Sequence, residues 1–524
     1  MSSILLPVGQ CGNQIGHELM TLVEKQCEGK PLSHRDGKLR CVCVDSESKV
    51  IASNRRSDGV HGQNRDSNII AGRRGRGNNF ALGYHGNSID EGGTSLLHMT
   101  MDAMRKEVER CDSFAGTIVM HSLTGGTGSG LGARLVETLS DAYPLAHVMS
   151  VAVSPHVSGE SPLQHYNSLL SLAALQRNAD GILLFHNDDV LRQVMLQRVK
   201  ISEHQVLSGG SVSLIDMNRS IAKSLVGVLQ PLGEKPKSIK KTSKKVGTRK
   251  GTKEEKKCTL NSSHFPFSKA HNFSMAFSDS SMCPTPCSYL NESSSTTGSD
   301  DETRNDMCKQ PGATASALMR YRGITSHLSK GSGTSKPQEA SLDVPKGNEP
   351  WEMLRSICPE PSKKFVSVYH SEKVKVGQSW DHLCQSLVHS MNLYDKSGHP
   401  YSTLASLLIA RGDTDNTFAE SALKIEKRLK GTLRCVEWNP FPVDFWISPH
   451  SVVGSPFCGQ SLTLCTNSNR ARDSLGNILT RAKSMFDAGA YLHWFEKHGC
   501  VKNDFLDGFS TLQDIIDEYN CATS

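Results

Sequence analysis

The feature that most constrains this chain is a glycine cluster at residues 125–132, where five of eight residues are glycine. An apolar run at 116–123 precedes the cluster, and a pattern of helical spacing at 131–142 follows it. A glycine-rich turn between a strand and a helix lets backbone N–H groups approach an anion, and the helix N-terminus adds partial positive charge. The alternative is a tight turn that needs unusual dihedral angles. The strand–helix frame favours a phosphate-binding turn, which comprises Gly125, Gly126, Thr127, Gly128, Ser129 and Gly130.

Two common phosphate-binding loops do not fit this cluster. The dinucleotide fingerprint requires G-x-G-x-x-G, and Leu131 occupies the place of its last glycine. The P-loop requires Gly-Lys-Ser/Thr, and no lysine follows the cluster. A nucleotide-dependent dehydrogenase is therefore a poor alternative. Backbone N–H groups and the hydroxyls of Thr127 and Ser129 must take the part that a lysine has elsewhere.

A second glycine-containing turn, GQCGNQ at residues 9–14, follows the first apolar run and also opens a helical pattern. The carboxyl ends of parallel strands meet at one edge of a sheet, so both turns are expected in the same ligand-binding crevice. Asp45 ends the second apolar run and is expected at that edge. A carboxylate beside phosphates needs a cation between them, which implies Mg²⁺. The alternative for Asp45 is an ordinary residue at the end of a strand.

The first part of the chain alternates apolar runs with helical patterns. The runs are nearly continuous, which is typical of strands that are buried on both faces. Strands that alternate with helices predict an α/β fold with a parallel, Rossmann-like sheet covered by helices on both sides. The predicted strands are 4–8, 41–45, 116–123, 147–153 and 181–186, and the predicted helices are 13–23, 96–109, 131–142 and 163–175.

The rest of the chain divides by composition. A long helix is predicted at 211–229, and residues 233–347 are rich in Ser, Thr, Lys and Gly. Such a segment buries too little apolar surface to offset its ordering entropy, and we expect a disordered insertion. A mixed α/β region follows, with strands expected at 365–369, 404–411, 434–438 and 462–465, and then two amphipathic helical patterns. The expected organisation is a nucleotide-binding domain at 1–210, a core helix at 211–232, the insertion at 233–347, an intermediate domain at 348–466 and a C-terminal helical region at 467–524.

Charge and cysteine content exclude several classes of protein. The formal net charge is +6, but the stretch from Lys235 to Lys257 holds eleven Lys or Arg and two Glu, so the basic character is local. This distribution does not favour a general nucleic-acid-binding face. No membrane-length apolar stretch and no basic, apolar signal sequence are visible, which predicts a cytoplasmic protein without membrane contact. The 16 cysteines are expected to be reduced, and no zinc-type spacing is present.

The two glycine motifs together resemble the tubulin superfamily. GQCGNQIG at residues 9–16 and GGTGSGLG at 125–132 form a specific pair, and GRGNNFALGY at 75–84 is similar to the third nucleotide loop of that family. Within the superfamily the likeness is to the delta-tubulin subfamily. It is carried by RKEVERCDSFAG at 105–116, GESPLQHYNSLLSL at 159–172 and NDFLDGFSTLQ at 503–513.

The resemblance implies a tubulin/FtsZ-like fold that binds GTP or GDP with Mg²⁺. Gln10 and Cys11 would contact the phosphates, together with Ser122 and the residues of the glycine cluster. Gln14 would lie near the ribose or base, and Asn218 would recognise the guanine edge. The remaining implied contacts are at the terminal phosphate and the metal, from Asn78, Asp45 and Glu47.

In this family, hydrolysis is completed by an acidic residue of a neighbouring subunit. The resemblance places Glu352 at that position, where a carboxylate orients the attacking water. The alternative is an exposed helical glutamate without a catalytic part. Departures from the family pattern, such as Gln164 in the place of a ribose-contacting glutamate, leave hydrolysis and ordinary lattice assembly open.

The resemblance implies a GTP-binding protein of the cytoskeleton, in centrioles or basal bodies, that supports triplet microtubules through longitudinal contacts with other tubulins. The alternative is a non-hydrolysing scaffold in which the nucleotide has a structural part. The lysine-rich segment from Lys235 to Lys257 would suit the acidic tails of other tubulins, and a solvated loop, a nuclear-localisation signal or nucleic-acid binding are the alternatives.

Overall fold

The computed structural model describes residues 2–26, 32–57, 64–86, 95–159, 161–202, 211–230, 350–373, 377–413, 417–451 and 459–523. These residues all belong to one unit by their mutual contacts. The expected insertion at 233–347, with the lysine-rich segment inside it, lies outside the described residues. No helix in these ranges has the length and apolar character that a membrane crossing requires.

An eight-stranded sheet organises the described part of the chain. Its first five strands in spatial order are parallel, and their side chains are almost all buried, as the continuous apolar runs predict. The α/β class is therefore confirmed. These strands are β1 (Ser2–Pro7), β4 (Phe114–Ser122), β5 (His147–Ser154), β6 (Gly181–His186) and β7 (Phe365–Glu372).

A small parallel pair, β2 (Cys43–Asp45) and β3 (Ile69–Ala71), lies beside β1. Single bridges join Leu5 to Cys41 and Val8 to Val44, so the approach to β2 follows the free edge of β1. Pro7 is the last residue of this edge strand, a position where its missing N–H is tolerated. The pair brings Asp45 to the same edge of the sheet as the end of β1.

Helices cover both faces of the parallel part of the sheet. One face carries a core cluster that includes Val136, Leu169 and Leu512, and the other carries a cluster that includes Ile15, Leu225 and Met353. The helices of this part are α1 (Gly9–Gln26), α2 (Ser48–Ser57), α3 (Phe80–His85), α4 (Leu96–Glu109), α5 (Gly132–Ala142), α6 (Gln164–Asn178), α7 (Asn187–Ser202) and α8 (Leu214–Leu229).

The second half of the sheet is mixed. After β7 come β10 (Ser461–Ser468), antiparallel to both neighbours, then β8 (Thr403–Arg411) and the edge strand β9 (Val443–Ser448), parallel to β8. The strand expected at 434–438 is wrong. Arg434 has a φ of +46°, and only Cys435 forms a single bridge, to Thr403, so the chain turns there before β9 begins.

The remaining helices pack around this mixed part and around α6. A third core cluster, with Trp380, Phe418 and Leu464, fills the space between the mixed strands and their helices. The two amphipathic patterns at the end of the chain form helices that pack on α6 and on each other. These elements are α9 (Pro350–Ile357), α10 (Trp380–Ser390), α11 (Thr417–Leu433), α12 (Arg470–Asp487), α13 (Leu492–Glu496) and α14 (Lys502–Thr523).

The core helix α8 is fixed at both ends. At its start, the Ser213 hydroxyl accepts from the Asp216 N–H at 3.3 Å, and the Ser213 N–H donates to the Asp216 carboxylate at 3.0 Å, which forms a capping box. At its end, the fully buried Arg411 donates to the Gly227 carbonyl at 2.8 Å and to the Gln230 carbonyl. A guanidinium at this position satisfies terminal carbonyls and complements the negative end of the helix dipole.

We expect Arg411→Met to lower the free energy of unfolding by about 3 kcal/mol, because it leaves buried helix carbonyls without donors. Urea unfolding at pH 7 measures this loss. Arg219→Met is the matched control, since Arg219 is 53% exposed and its ion pair with Glu18, at 3.2 Å, is on the surface. The control should cost less than about 0.5 kcal/mol. Equal losses for the two variants would contradict the proposed helix clamp.

Candidate nucleotide-binding site

The two glycine-containing turns meet at the carboxyl edge of the parallel strands. Residues 9–14, here called the first turn, follow β1, and residues 125–130, the glycine turn, follow β4. A Cβ placed on Gly9 would lie only 3.1 Å from the Gly128 nitrogen, and Gly9 has a φ of +71°. The two backbones therefore touch, as the sequence predicted for turns at neighbouring parallel strands.

The glycine turn winds through a wide helical turn, Thr127–Leu131, into α5. Gly126 has ordinary helical dihedral angles, with φ −63° and ψ −45°, and residues 125–130 show no positive φ. The alternative of a turn that needs unusual dihedral angles is therefore wrong. Close packing explains part of the glycine content, since a Cβ on Gly126 or Gly130 would lie 2.5 Å or 2.2 Å from the carbonyl oxygen of Arg76 or Phe80. Gly125 has open space where a Cβ would be, so the turn is bare on that side.

Hydroxyl groups of the glycine turn are largely used inside the protein. Ser129 is fully buried, and both its N–H and its hydroxyl donate to the Gly125 carbonyl, at 3.0 and 2.5 Å. The expectation that Ser129 offers a hydroxyl to phosphate is thus not met by this arrangement. The Thr127 hydroxyl lies 2.6 Å from that of Ser46, and the Ser122 hydroxyl lies 2.8 Å from that of Thr124. Thr127 therefore joins the glycine turn to the end of β2.

Asp45 is almost completely buried at the end of β2, and burial raises the pKa of its carboxyl to about 6. The neighbouring Glu47 carboxylate adds a further, smaller upward contribution to that pKa. Glu47 itself is exposed, and its Oε1 lies where a side chain on Gly75 would begin. A desolvated carboxylate with a second carboxylate beside it fits a divalent cation, which would relieve the cost of the buried Asp45 charge.

The described residues hold no group of three or more His, Cys, Asp or Glu side chains that could bind a metal by themselves. A magnesium ion here would take Asp45 and Glu47 as protein ligands and complete its octahedral shell with phosphate oxygens and water. Such a sparse protein contribution is typical of magnesium that binds together with a nucleotide.

A third segment, residues 75–79, lies against the glycine turn, and we call it the third loop. Gly77 and Asn78 both have left-handed backbone, with φ +53° and +51°, and the Asn78 side chain is exposed. Asn79 ends the loop and caps α3, because its side-chain oxygen Oδ1 accepts from the Ala81 N–H at 2.8 Å. Asn78 is therefore an exposed residue of the loop that packs on Gly126 of the glycine turn.

Asn167, on α6, was not singled out as a site residue from the sequence. It is fully buried and donates 2.7 Å hydrogen bonds to the Asn78 and Thr124 carbonyls, and its own oxygen accepts from the Phe80 N–H at 2.9 Å. The signal that could have found it is an amide in the largely apolar helical pattern of residues 166–175. Asn13 is similar, since it is buried and donates to the Gly9 and Val44 carbonyls.

Asn218, predicted at the guanine edge, meets Gln14, predicted near the ribose or base, although 203 residues of chain separate them. The Asn218 amide on α8 donates to the Gln14 amide on α1 at 3.4 Å, and both side chains are half-buried. Gln10, at the start of α1, is exposed, and Cys11 is half-buried. The crevice thus runs from the two turns and Asp45 at one end to the amide pair at the other. That order, with donors for phosphate first and amides for a base last, is the order of a nucleotide's parts.

The histidine that lies beneath the glycine turn adds no positive charge at pH 7. His121, near the end of β4, is fully buried and bonds the Ser150 hydroxyl at 2.9 Å, and burial lowers its pKa to about 4. Its ring packs under Gly132, at 3.1 Å from a Cβ placed there. His121 is therefore neutral at pH 7 and supports the turn by packing.

Glu352 lies far from this crevice. Its neighbour Trp351 stacks on His147 at 5.3 Å, and the Trp351 ring covers Gly116, so α9 sits at the amino ends of β4 and β5. The nine-residue strand β4 separates this edge from the glycine turn by about 25 Å. Glu352 therefore does not reach the nucleotide crevice of its own chain.

Comparison with known proteins agrees with this geometry. The sequence profile of the Tubulin/FtsZ family, GTPase domain, matches residues 2–195. The tubulin delta chains of Macaca fascicularis and Homo sapiens are each 25% identical to this chain over 99% of both sequences. The tubulin delta chain of Canis lupus familiaris is 32% identical over 257 residues, which cover 44% of this chain and 53% of that protein. The chain therefore carries a match to the Tubulin/FtsZ GTPase domain at residues 2–195 and is similar over nearly its whole length to tubulin delta chains.

Proposed function

We propose that this protein binds GTP and GDP with Mg²⁺ and acts at centrioles or basal bodies, where it supports triplet microtubules through longitudinal contacts with other tubulins. The observation that carries the nucleotide proposal is the contact between the first turn and the glycine turn, with Gly9 against Gly128. Two bare backbone segments at the end of a parallel sheet supply N–H donors without a lysine. The place and partners rest on the likeness to the delta-tubulins.

The proposed contacts follow the order of the crevice. Gln10, Cys11 and Ser122 join the glycine turn at the phosphates, and Asn78 meets the terminal phosphate. Asp45 and Glu47 would hold the magnesium ion, whose charge stabilises the phosphates. Within the glycine turn, Gly125, Gly126, Thr127, Gly128 and Gly130 would face the phosphates, while Ser129 holds the turn closed. Gln14 and Asn218 would contact the nucleoside.

Hydrolysis would require a second subunit. Glu352 lies at the opposite edge of the sheet from the glycine turn, so in a head-to-tail stack it would face the next subunit's nucleotide. A carboxylate there would orient the attacking water. In the scaffold alternative, GTP stays intact and only stabilises the fold. The Lys235 to Lys257 segment, outside the described residues, is proposed to bind acidic tubulin tails on the basis of its charge alone.

Nucleotide extraction tests the binding proposal. Purified protein, denatured and analysed by chromatography, should release close to one guanine nucleotide per chain. Asn218→Ala should reduce the bound guanine nucleotide about tenfold, since a buried base edge loses its amide partner. Asn178→Ala is the control, because the Asn178 amide donates to the Ala174 carbonyl of its own helix, α6, at 2.9 Å. Wild-type protein that carries no guanine nucleotide and ignores added GTP with magnesium would refute the proposal.

Single-turnover hydrolysis separates the GTPase from the scaffold. Bound GTP should be cleaved only when partner tubulin is added, and Glu352→Gln should slow that cleavage without changing GTP affinity. Uncleaved GTP in every mixture, with no effect of Glu352→Gln, would favour the scaffold.

A further inference from the structure

We propose that Asn167 is a positioning residue that locks the third loop to the glycine turn, so that the two respond to the terminal phosphate as one unit. This inference rests on the proposed GTP binding and adds the residue that holds the two loops together. Asn167 contacts neither the phosphates nor the base. It acts through the backbone of the segments that do.

The first observation is that one amide group connects three backbone segments. The Asn167 NH₂ group divides its two protons between the Asn78 carbonyl of the third loop and the Thr124 carbonyl that precedes the glycine turn, each at 2.7 Å. The Asn167 side-chain oxygen accepts from the N–H of Phe80, the first residue of α3, at 2.9 Å. Asn167 itself is fully buried, and its bond with the Phe80 N–H is shielded from water. Water has little access to the Asn167 amide, so the loss of its hydrogen bonds is costly.

The second observation is that the two loops already press against each other. A Cβ on Gly126 would lie 2.5 Å from the Arg76 carbonyl and 2.8 Å from the Asn79 nitrogen. The third loop also has consecutive left-handed residues, Gly77 and Asn78, a conformation that an asparagine tolerates but does not favour. Asn167 lies in a regular α-helix, so its own backbone is unstrained. Its hydrogen bond to the Asn78 carbonyl holds Asn78 in the left-handed conformation. Movement of the third loop away from the glycine turn would break this bond.

The third observation is that the lock has a rigid support. Asn167 lies near the start of α6. The residue after it, Ser168, donates its hydroxyl to the Leu123 carbonyl at 3.3 Å. The helix packs between α5 and the C-terminal helix α14. A side chain on such an element holds its partners more firmly than a loop residue does. Displacement of the third loop would therefore pull on a buried helix as well as on the glycine turn.

Asn167→Asp is the sharpest test, because it keeps the size of the side chain. The carboxylate can still accept from Phe80, but it cannot donate and would place an oxygen against two carbonyls. We expect GTP to dissociate at least about tenfold faster from the full-length variant with Mg²⁺, and GDP to be affected much less. The ratio of GTP to GDP affinity, measured with radiolabelled nucleotides, is the readout that a purely structural role would leave unchanged.

Ser171→Ala is the matched control, because Ser171 is fully buried one turn further along α6 and its hydroxyl has no hydrogen-bond partner among the described residues. It should keep the wild-type ratio. The inference is overturned if Asn167→Asp also keeps the wild-type ratio of GTP to GDP affinity. The same holds if the ratio changes in Asn167→Ala but not in Asn167→Asp, because loss of packing alone would affect the shorter side chain and spare the isosteric one. Wild-type protein without guanine nucleotide affinity would instead refute the proposed function itself.

Hydrogen exchange on the wild-type chain provides a second measurement if Asn167→Asp fails to fold. The Phe80 amide starts α3 and has Asn167 as its acceptor. With GTP and Mg²⁺ bound, it should exchange as slowly as the buried amides of α5. Rapid exchange of Phe80 in that state would show that the lock is open and would overturn the inference.

Discussion

Replacement of Asp45 by asparagine should make the nucleotide-free protein more stable and, at the same time, remove the effect of magnesium on GTP binding. At pH 7 the free energy of unfolding should rise by about 2 kcal/mol in urea titrations without nucleotide or metal. With GTP, the affinity gained on addition of Mg²⁺ should fall at least about tenfold, measured by titration calorimetry. Stability and function therefore change in opposite directions.

The gain in stability follows from the raised pKa of Asp45. Burial raises it from 3.8 to about 6, so between these values the folded chain binds more protons than the unfolded chain. The contribution of Asp45 to the stability of the metal-free protein should therefore decrease as pH rises from about 4 to 6 and stay constant above that, so the stability difference between Asp45→Asn and wild type should grow over this range. The full cost of ionisation is about 3 kcal/mol, and part of it is offset because asparagine accepts the Ser46 and Glu47 N–H groups less strongly. At pH 4, Asp45→Asn should have little effect.

Glu47→Gln separates the two effects of Asp45. Because Glu47 is exposed and its effect on the Asp45 pKa is small, its replacement should raise the stability of the metal-free protein by less than about 0.5 kcal/mol and still weaken the magnesium-dependent part of GTP binding. A stability difference between Asp45→Asn and wild type that does not depend on pH between 4 and 6 would contradict the burial cost of Asp45. Unchanged magnesium dependence in both variants would exclude this pair as the metal site.

A pair of glycine-to-alanine substitutions in the glycine turn should give very different outcomes. Gly130→Ala places a Cβ 2.2 Å from the Phe80 carbonyl oxygen and 2.7 Å from the Tyr84 nitrogen, so α3 must move. We expect a loss of about 3 kcal/mol or more in the free energy of unfolding, measured in urea without nucleotide. Gly125→Ala meets no atom within 4 Å and should change stability by less than about 0.5 kcal/mol.

For nucleotide binding, in contrast to stability, Gly125 should be the more important of these two positions. Gly125 lies on the bare side of the turn, where a phosphate would approach, so Gly125→Ala should keep the fold and weaken GTP binding at least about tenfold. Equal stability of the two variants would contradict the packing of Gly130 on α3. Full GTP affinity in Gly125→Ala would show that the phosphate does not lie against that residue.

The same comparison explains why the sequence shows where the glycine turn lies but not why glycine is required at each position. Five glycines between a strand and a helix correctly predicted the place of the turn, because glycine content and strand–helix order are local properties. Gly126 and Gly130 are required by residues 76 and 80, which are about 50 positions away in the chain. Their packing therefore became visible only when α3 was placed on the turn.

Local patterns also determined most of the fold. Continuous apolar runs gave β1, β4, β5 and β6, because a parallel strand covered on both faces has no polar side to interrupt it. Helical spacing gave α4 with its observed limits, Leu96–Glu109. The strand expected at 434–438 failed for the converse reason. Its short run of apolar residues lies at the end of α11, where a left-handed Arg434 turns the chain, and the edge strand β9 begins later.

The sequence by itself determined the α/β class, the two backbone turns and the acidic residue at the end of β2, because each depends on neighbours along the chain. Only the tertiary structure decided that Gln14 meets Asn218, that Asn167 joins three segments, and that Glu352 lies at the opposite edge from the turns. Hydrogen bonds between residues 43 to 204 positions apart leave no periodic signal. They arise when the sheet brings distant segments together and excludes water from between them.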